Sequence, residues 1–182
     1  PTHPTPPTSQ AEAAPAPAVD AAAQEPWTVP DGWRRIPGER AMRLATFETG
    51  EGAEVVEVVV SRFPGNVGGL LANVNRWRGQ VGLGPVGEEE LAAILTPFEG
   101  GSGFRGYTMR LEGPESHMLA AILEEAGADR TWFVKAVAAP EVADRHEEEV
   151  FAFARSFGNA GGGDEDEGGA GGGAKGGAGG GM

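Results

Sequence analysis

The chain has 182 residues, no cysteine and a formal net charge of −13 at pH 7. The absence of cysteine excludes disulfides, thiolate nucleophiles and cysteine-based zinc sites. The acidic balance argues against nucleic acid and against an anionic lipid surface as partners, because both select a basic face. No apolar run reaches the roughly 18 residues that are needed to span a bilayer.

Composition divides the chain into three parts. Residues 1–26 are rich in Pro, Ala and Thr, and residues 159–182 are mostly Gly, with an acidic run at 164–167. Neither segment can bury enough apolar surface to offset the entropy of ordering, so we predict that both are disordered. All Trp, Phe and Tyr side chains lie between them, and we predict a single domain over residues 27–158.

The N-terminal segment has the composition of an extended Pro/Ala linker. Such a linker is typical of an envelope domain that is tethered away from a membrane, and a tail with no special role is the alternative. The chain begins with Pro1 rather than Met, so we expect further sequence upstream, which could include a signal segment or a lipid anchor.

The first half of the domain predicts three strands and a helix. The strands are expected at residues 33–36, 42–48 and 54–63, and β-branched Val dominates the third. Val on both faces of this third strand predicts a central position that is covered on both sides. The helix is expected to run from an N-cap at Asn66 to about Val81.

This predicted helix has a narrow apolar stripe with polar flanks. The stripe is formed by Leu70, Val74, Trp77 and Val81. The flanks carry Asn73, Arg76 and Gln80 on one side and Asn75 and Arg78 on the other. In one interpretation the amides of Asn73 and Gln80 hold neighbouring loops such as residues 82–87, while Arg76 or Arg78 pairs with acids of the domain. In the other, the flanks form a recognition face, because Arg, Asn and Trp are plausible interface residues.

The second half predicts a short helix, three antiparallel strands and a last helix. The short helix is expected at residues 88–95, with Pro97 ending it. The strands are expected at 104–112, 117–124 and 131–137, and the last helix at 140–157. Residues 117–124 also suit a helix, but the turn signature that follows them favours a strand. This order predicts an α+β fold with a mostly antiparallel sheet and helices packed on it.

The histidines do not predict a catalytic or metal site. Glu, Ser and His stand side by side at residues 115–117, where adjacent side chains of a strand point apart, so we expect no triad. His146 has Val150 at i+4 rather than a second histidine, and the acids at 147–149 are expected to be solvated. We therefore predict no enzyme activity, no metal and no cofactor.

The segment PGNVGG at residues 64–69 precedes the first long helix. Free amides at a helix start can bind phosphate, but the segment lacks the Lys and the Ser or Thr of a P-loop. The alternative is that Gly68 and Gly69 allow the helix to pack closely on the sheet.

The C-terminal run TWFVKAVAAPEVADRHEEEVFAFARSF resembles the close of a PsbP-like domain. In that fold a strand with an aromatic pair and a lysine leads through a short turn into a final helix, and the matching residues here are Trp132, Phe133, Lys135 and Pro140. The P-x-G-W pattern at residues 30–33 and the hairpin after it fit the same plan. The middle run, GNVGGLLANVNRWRGQVGL, resembles uncharacterised bacterial envelope lipoproteins. The resemblance covers residues 27–157 and implies a PsbP-like α/β/α sandwich.

PsbP-like domains are mainly non-enzymatic and dock on larger assemblies or assist them. The resemblance therefore implies a non-catalytic interaction or accessory domain with a protein partner, in the periplasm or cell envelope. The alternative function is a small-molecule or anion-binding domain, or an enzyme, that uses the helix region at residues 66–80. A filled interior would favour the first function and a cleft with polar groups would favour the second.

Overall fold

A computed structural model describes residues 25–38 and 42–159 of the chain. The predicted disordered segments fall outside these ranges except for residues 25, 26 and 159, and so do His3 and the acidic run at 164–167. The strands are β1 (Arg34–Arg35), β2 (Ala45–Thr49), β3 (Val56–Pro64), β4 (Thr96–Glu99), β5 (Phe104–Glu112), β6 (His117–Glu125) and β7 (Arg130–Ala138). The helices are α1 (Leu70–Gln80), α2 (Glu88–Ile94) and α3 (Pro140–Arg155).

The strands form one sheet in the order β1-β2-β3-β7-β6-β5-β4, with every neighbouring pair antiparallel. The last strand pairs with the third, in a register that places Val58 opposite Ala136. This pairing closes the first half of the domain onto the second. The predicted α+β fold with an antiparallel sheet is confirmed.

The sheet carries a helical layer on each face. On one face α3 packs over β2, β3, β6 and β7 and buries an aromatic cluster in which the rings of Trp33 and Phe153 lie 5.0 Å apart. On the other face α1 and α2 cover β5 and β6, with Trp77 edge-on to Phe133 of β7 at 5.1 Å. Each core lies between apolar side chains of the sheet and one stripe of a helix.

The predicted apolar stripe of α1 faces the sheet. Val74, Trp77 and Val81 are buried, and Leu70 packs against the same core from a half-buried position. The stripe was predictable because the 3.6-residue period places these side chains on one side of the helix. The polar residues that alternate with them are thereby held at its two flanks.

The prediction that Asn66 caps α1 is wrong. The helix begins four residues later, because Gly68 and Gly69 both have a φ of +78°, in the left-handed region that favours glycine. The expected close packing at these two glycines is also wrong: Gly69 has no atom within 4 Å of the position that a Cβ would take. The glycines set where the helix starts, rather than how near it lies to the sheet.

Strand β4 was not predicted, and Pro97, which was expected to end the second helix, lies within it. The strand is at the edge of the sheet. Proline lacks an amide N–H, so it is tolerated where that side of the backbone faces away from the ladder. A short edge strand that contains proline is also a poor template for pairing with another chain.

The first strands are shorter than predicted, and β3 is covered less completely. Met42 has a φ of +69°, so β2 begins only at Ala45. β3 lies third in the sheet, as expected of an inner strand, but only its Val56, Val58 and Val60 face is fully buried. Its other face is half-buried, because α1 and α2 pack over β5 and β6 instead.

Candidate functional site

Two polar residues of α1 hold the loop that follows the helix. The side-chain amide of Asn75 donates to the Val86 carbonyl at 2.9 Å, and its oxygen accepts the Val86 amide N–H at 2.8 Å. The Arg78 guanidinium donates to the Gly84 carbonyl at 2.7 Å. Asn75 and Arg78 tie this loop to the helix, so the expectation that Asn73 and Gln80 hold residues 82–87 is wrong.

Asn73 is the buried polar residue of α1, with 3% of its surface exposed. Its Nδ2 donates to the carbonyls of Val67 and Gly69 at 2.6 and 2.8 Å. Its Oδ1 accepts a hydrogen bond from the Arg76 guanidinium at 2.8 Å. The amide therefore fastens the glycine segment to the first turn of the helix that follows it.

The remaining two flank residues, Arg76 and Gln80, meet Lys135 of β7. The Lys135 ammonium donates to Gln80 Oε1 at 3.3 Å and lies 5.6 Å from the centre of the Trp77 ring. Burial lowers the pKa of Lys135 below its ordinary 10.5, and the positive charges of Arg76 and Arg43 lower it further. Three cationic side chains thus gather beside α1, in a chain whose net charge is −13.

The expected pairing of Arg76 or Arg78 with an acid of the domain is wrong for the described residues. Both guanidiniums donate to neutral oxygens, those of Asn73 and Gly84. The described acids that form ion pairs do so with other cations, as Glu57 does with Arg43 at 2.6 Å.

The lowered pKa of Lys135 gives a test of its energetic role. Below that pKa the side chain is charged in both the folded and the unfolded chain, and its desolvation lowers the free energy of unfolding. As pH rises from the lowered pKa towards 10.5, the folded chain releases its proton first, so this destabilisation is lost. We expect the stability of the wild type relative to Lys135→Met to rise over that window. Urea unfolding of both proteins at pH 7 and pH 10 measures it, and a difference that is constant or falls with pH would contradict it.

A cleft of about 740 Å³ opens on the α1 face of the sheet, near the β4 edge. Two cross-strand rows form its floor. One row is apolar and consists of Pro97, Tyr107 and Ile122, which are opposite one another in the β4–β5–β6 ladder. The other row is polar and lies two residues away from the apolar row on β4, β5 and β6. It consists of Glu99, Arg105 and Glu124, and of Thr131 opposite Glu124 on β7.

The roof of the cleft comes from the start of α1 and the segment before it. Asn66, Leu70 and Asn73 line this side. Because the glycines delay the helix to Leu70, the sheet beyond its first turn is left without helical cover. Within the floor, Arg105 pairs with Glu124 at 3.3 Å, and Thr131 donates its hydroxyl to the Gly65 carbonyl at 2.7 Å.

The structure distributes the predicted site residues among three places. Asn73 reaches the cleft, Asn75 and Arg78 hold the loop, and Arg76 and Gln80 join Lys135. The cleft floor was missed, because its rows depend on the register of strands that are separated in the sequence. The period-2 alternation of β5 does mark Tyr107 and Arg105 as sharing a face, so this part of the signal is present in the sequence.

The histidines and the acids of α3 take part in structural contacts. His146 Nδ1 lies 2.9 Å from Glu149 Oε2, and Glu149 also accepts a hydrogen bond from the Trp33 indole. His117 Nδ1 lies 3.0 Å from a guanidinium nitrogen of Arg110. Hydrogen bonding to Glu147 raises the pKa of Arg110, and desolvation opposes this rise. The expectation that residues 147–149 form a solvated face is therefore wrong for Glu147 and Glu149.

Over residues 25–38 and 42–159, no group of three or more His, Asp or Glu side chains is arranged to hold a metal ion. Among the same residues, no helix combines the length and the apolar character that a membrane crossing requires.

The sequence matches no protein-family model and no curated protein. Among solved structures, the chain is similar to LpqN, involved in cell envelope biogenesis of Mycobacterium tuberculosis, with a TM-score of 0.41, 12% identity and coverage of 71% of this chain and 78% of that one. It is also similar to the cyanobacterial PsbP of Synechocystis sp. PCC 6803, with a TM-score of 0.43, 18% identity and coverage of 70% and 82%. This second protein is a PsbP, the family that the sequence resembles. Because both TM-scores are below 0.5, neither likeness assigns an activity, a partner or a location to this chain.

Proposed function

We propose that this protein is a non-catalytic accessory domain that binds an organic ligand in the cleft between the start of α1 and strands β4–β6. The observation that carries the proposal is the cleft itself, with an apolar row and a polar row side by side on its floor. Its volume of about 740 Å³ lies within the roughly 300–1,000 Å³ that small-molecule sites occupy.

The lining suggests what kind of ligand fits. The apolar row of Pro97, Tyr107 and Ile122, with Leu70 above it, would cover a flat or branched hydrocarbon part. In the polar row two carboxylates outnumber the single arginine, so a hydrogen-bond donor such as an amine or hydroxyl suits it better than an acid does. The ligand is therefore an amphipathic molecule with a neutral or cationic polar end.

A non-catalytic role is supported by how the reactive side chains are used. The cleft lining contains no His, Ser or Lys, and the Thr131 hydroxyl is engaged by a backbone carbonyl. His117 and His146 lie beside Arg110 and Glu149 respectively. These contacts explain the two histidines without a reaction.

A protein partner is the second candidate occupant, and it fits the accessory role that the PsbP resemblance implies. The same cleft could take an apolar side chain of such a partner. Strand addition at β4 is disfavoured because Pro97 interrupts the donors of that edge.

For location we propose the cell envelope, with the Pro/Ala/Thr-rich segment as a tether and a lipid anchor upstream. The linker-like composition of residues 1–26 supports this location.

Tyr107→Lys tests the cleft directly. Tyr107 is 37% exposed, so a lysine can replace it with little change in stability while placing a long charged chain across the apolar row. The matched control is Val55→Lys, at a position outside the cleft lining that is 39% exposed. The measurement is a thermal-shift screen of apolar amines and alcohols against the full chain, followed by calorimetric titration of the compounds that stabilise it.

We expect the screen to find compounds that bind the wild type and Val55→Lys with equal affinity. The same compounds should bind Tyr107→Lys roughly tenfold more weakly, a loss of about 1.4 kcal/mol of binding free energy. A screen in which no compound stabilises the wild type, or in which both variants lose affinity equally, would contradict a ligand in the cleft. For a protein partner, the three proteins serve as baits, and retention by all but Tyr107→Lys would identify the cleft as the docking site.

A further inference from the structure

The described cations of the domain differ in what they contact. Eight described arginines form ion pairs with carboxylates: Arg34, Arg35, Arg43, Arg105, Arg110, Arg130, Arg145 and Arg155. Of the other described cations, Arg62 lies 5.1 Å from the centre of the Trp132 ring and Arg78 donates to the Gly84 carbonyl. Arg76 and Lys135 hydrogen-bond the neutral side-chain amide oxygens of Asn73 and Gln80. In an acidic domain, two adjacent cations that contact amides rather than acids call for an explanation.

The surroundings of Lys135 add to the positive charge at this point. Arg76 lies four residues before Gln80, on the flank of α1 that Lys135 contacts, and Arg43 contacts Glu57 of β3, the strand that pairs with β7. The positive charges of both arginines lower the pKa of Lys135. Glu57 of β3 neutralises part of this charge by pairing with Arg43 at 2.6 Å. The cluster therefore keeps a positive balance that neighbouring carboxylates do not cancel.

We propose that Arg76 and Lys135, with Arg43 beside them, form a binding site for the oxyanion of a phosphate group. A guanidinium offers a planar fork that matches two phosphate oxygens, and an ammonium adds a point charge with free rotation. Each of the two side chains has one hydrogen bond to an amide oxygen, which positions it and leaves its other N–H groups for a ligand. A bound anion would relieve the mutual repulsion of the three cations.

This oxyanion site differs from the cleft in both place and charge. The cleft lies at the first turn of α1 and has a polar row with two carboxylates and one arginine. The cation cluster lies along the flank that ends at Gln80 and faces β7. The two sites therefore select opposite groups, so that loss of binding at one is distinguishable from loss at the other.

The test uses the full chain and inorganic phosphate, with the Lys135 ammonium followed by NMR. Phosphate should raise the pKa of Lys135 by about one unit, as an opposite charge within a few ångströms does. Lys135→Met should weaken phosphate binding roughly tenfold, as expected for one lost charge-assisted hydrogen bond. The matched control is Arg145→Met on α3, a cation on the opposite face of the sheet, which should bind phosphate as the wild type does.

Gln80→Glu provides a second, independent variant. It keeps the shape of the side chain but places a carboxylate beside the Lys135 ammonium, so we expect it to raise the pKa of Lys135 and to abolish phosphate binding. The proposal is overturned if phosphate leaves the pKa of Lys135 unchanged, or if Arg145→Met weakens binding as much as Lys135→Met does.

The phosphate group could belong to a soluble ester or to a lipid headgroup, and a vesicle arm separates the two. The full chain and Lys135→Met are sedimented at physiological salt with vesicles of phosphatidylcholine, with and without roughly 20% phosphatidic acid. Sedimentation of the wild type alone with the acidic vesicles identifies a headgroup as the source. No sedimentation, together with the pKa response to free phosphate, identifies a soluble ligand.

Discussion

Gly106→Ala is expected to lower the free energy of unfolding by about 3 kcal/mol or more, in the range of the largest single-substitution effects. Gly106 lies in β5, opposite Leu123 of β6. A Cβ at this position would overlap the carbonyl oxygen of Ile122 and lie 3.0 Å from the Leu123 Cα. Both are backbone atoms, so no side-chain rotation can make room and the two strands would have to separate.

Urea unfolding of the full chain measures this loss, with Gly79→Ala as the matched control. Gly79 lies inside α1 and has no atom within 4 Å of its Cβ position. Alanine is the better helix former, so the control should gain about 1 kcal/mol. If Gly106→Ala loses less than about 1 kcal/mol, the β5–β6 ladder is more compliant than its backbone geometry indicates.

The glycine at 106 also explains why the cleft has the floor that it does. Gly106 stands between Tyr107 of the apolar row and Arg105 of the polar row, and its own backbone lines the cleft. The close approach of β5 to Ile122 and Leu123 holds both rows at the spacing of the ladder. We therefore expect ligand affinity to fall together with stability in Gly106→Ala, whereas Tyr107→Lys should lower affinity alone.

The sequence predicts the strands and helices whose own residues carry a clear periodic pattern. The three strands β5, β6 and β7 lie within one residue of their expected bounds, because their alternation and β-branched content are local properties. The apolar stripe of α1 was correct for the same reason. Strand β4 could not be predicted, because the residues TPFE acquire their extended form through pairing with β5 rather than through their own preference.

The candidate sites were less predictable, because they depend on contacts between distant parts of the chain. The polar flanks of α1 were visible in the sequence, but their division into loop-holding, buried and exposed roles follows from what each side chain meets. Lys135 stands 55 residues after Gln80 and reaches it only through the β3–β7–β6 order of the sheet. The polar row of the cleft likewise requires the registers of three successive strand pairs.

Asn73→Ala is the substitution that separates the two interpretations of the α1 flanks. The change removes both donors to the Val67 and Gly69 carbonyls from a site that is 3% exposed. The Gly69 carbonyl keeps the backbone bond from residue 73, but the Val67 carbonyl loses the partner that the structure gives it. We expect a loss of about 2–3 kcal/mol, as for a buried hydrogen-bond partner.

The control for this prediction is Gln80→Ala on the same flank. Gln80 is exposed and accepts from Lys135 at 3.3 Å, so its removal should cost under about 0.5 kcal/mol. Urea unfolding of both variants and of the Asn73→Ala/Arg76→Ala/Gln80→Ala chain gives the comparison. A triple variant that loses no more than Asn73→Ala alone would show that Arg76 and Gln80 add little to the fold. Their positions beside Lys135 would then be explained by a ligand or partner that they bind. Equal losses of stability in Asn73→Ala and Gln80→Ala would instead assign a structural role to the whole flank.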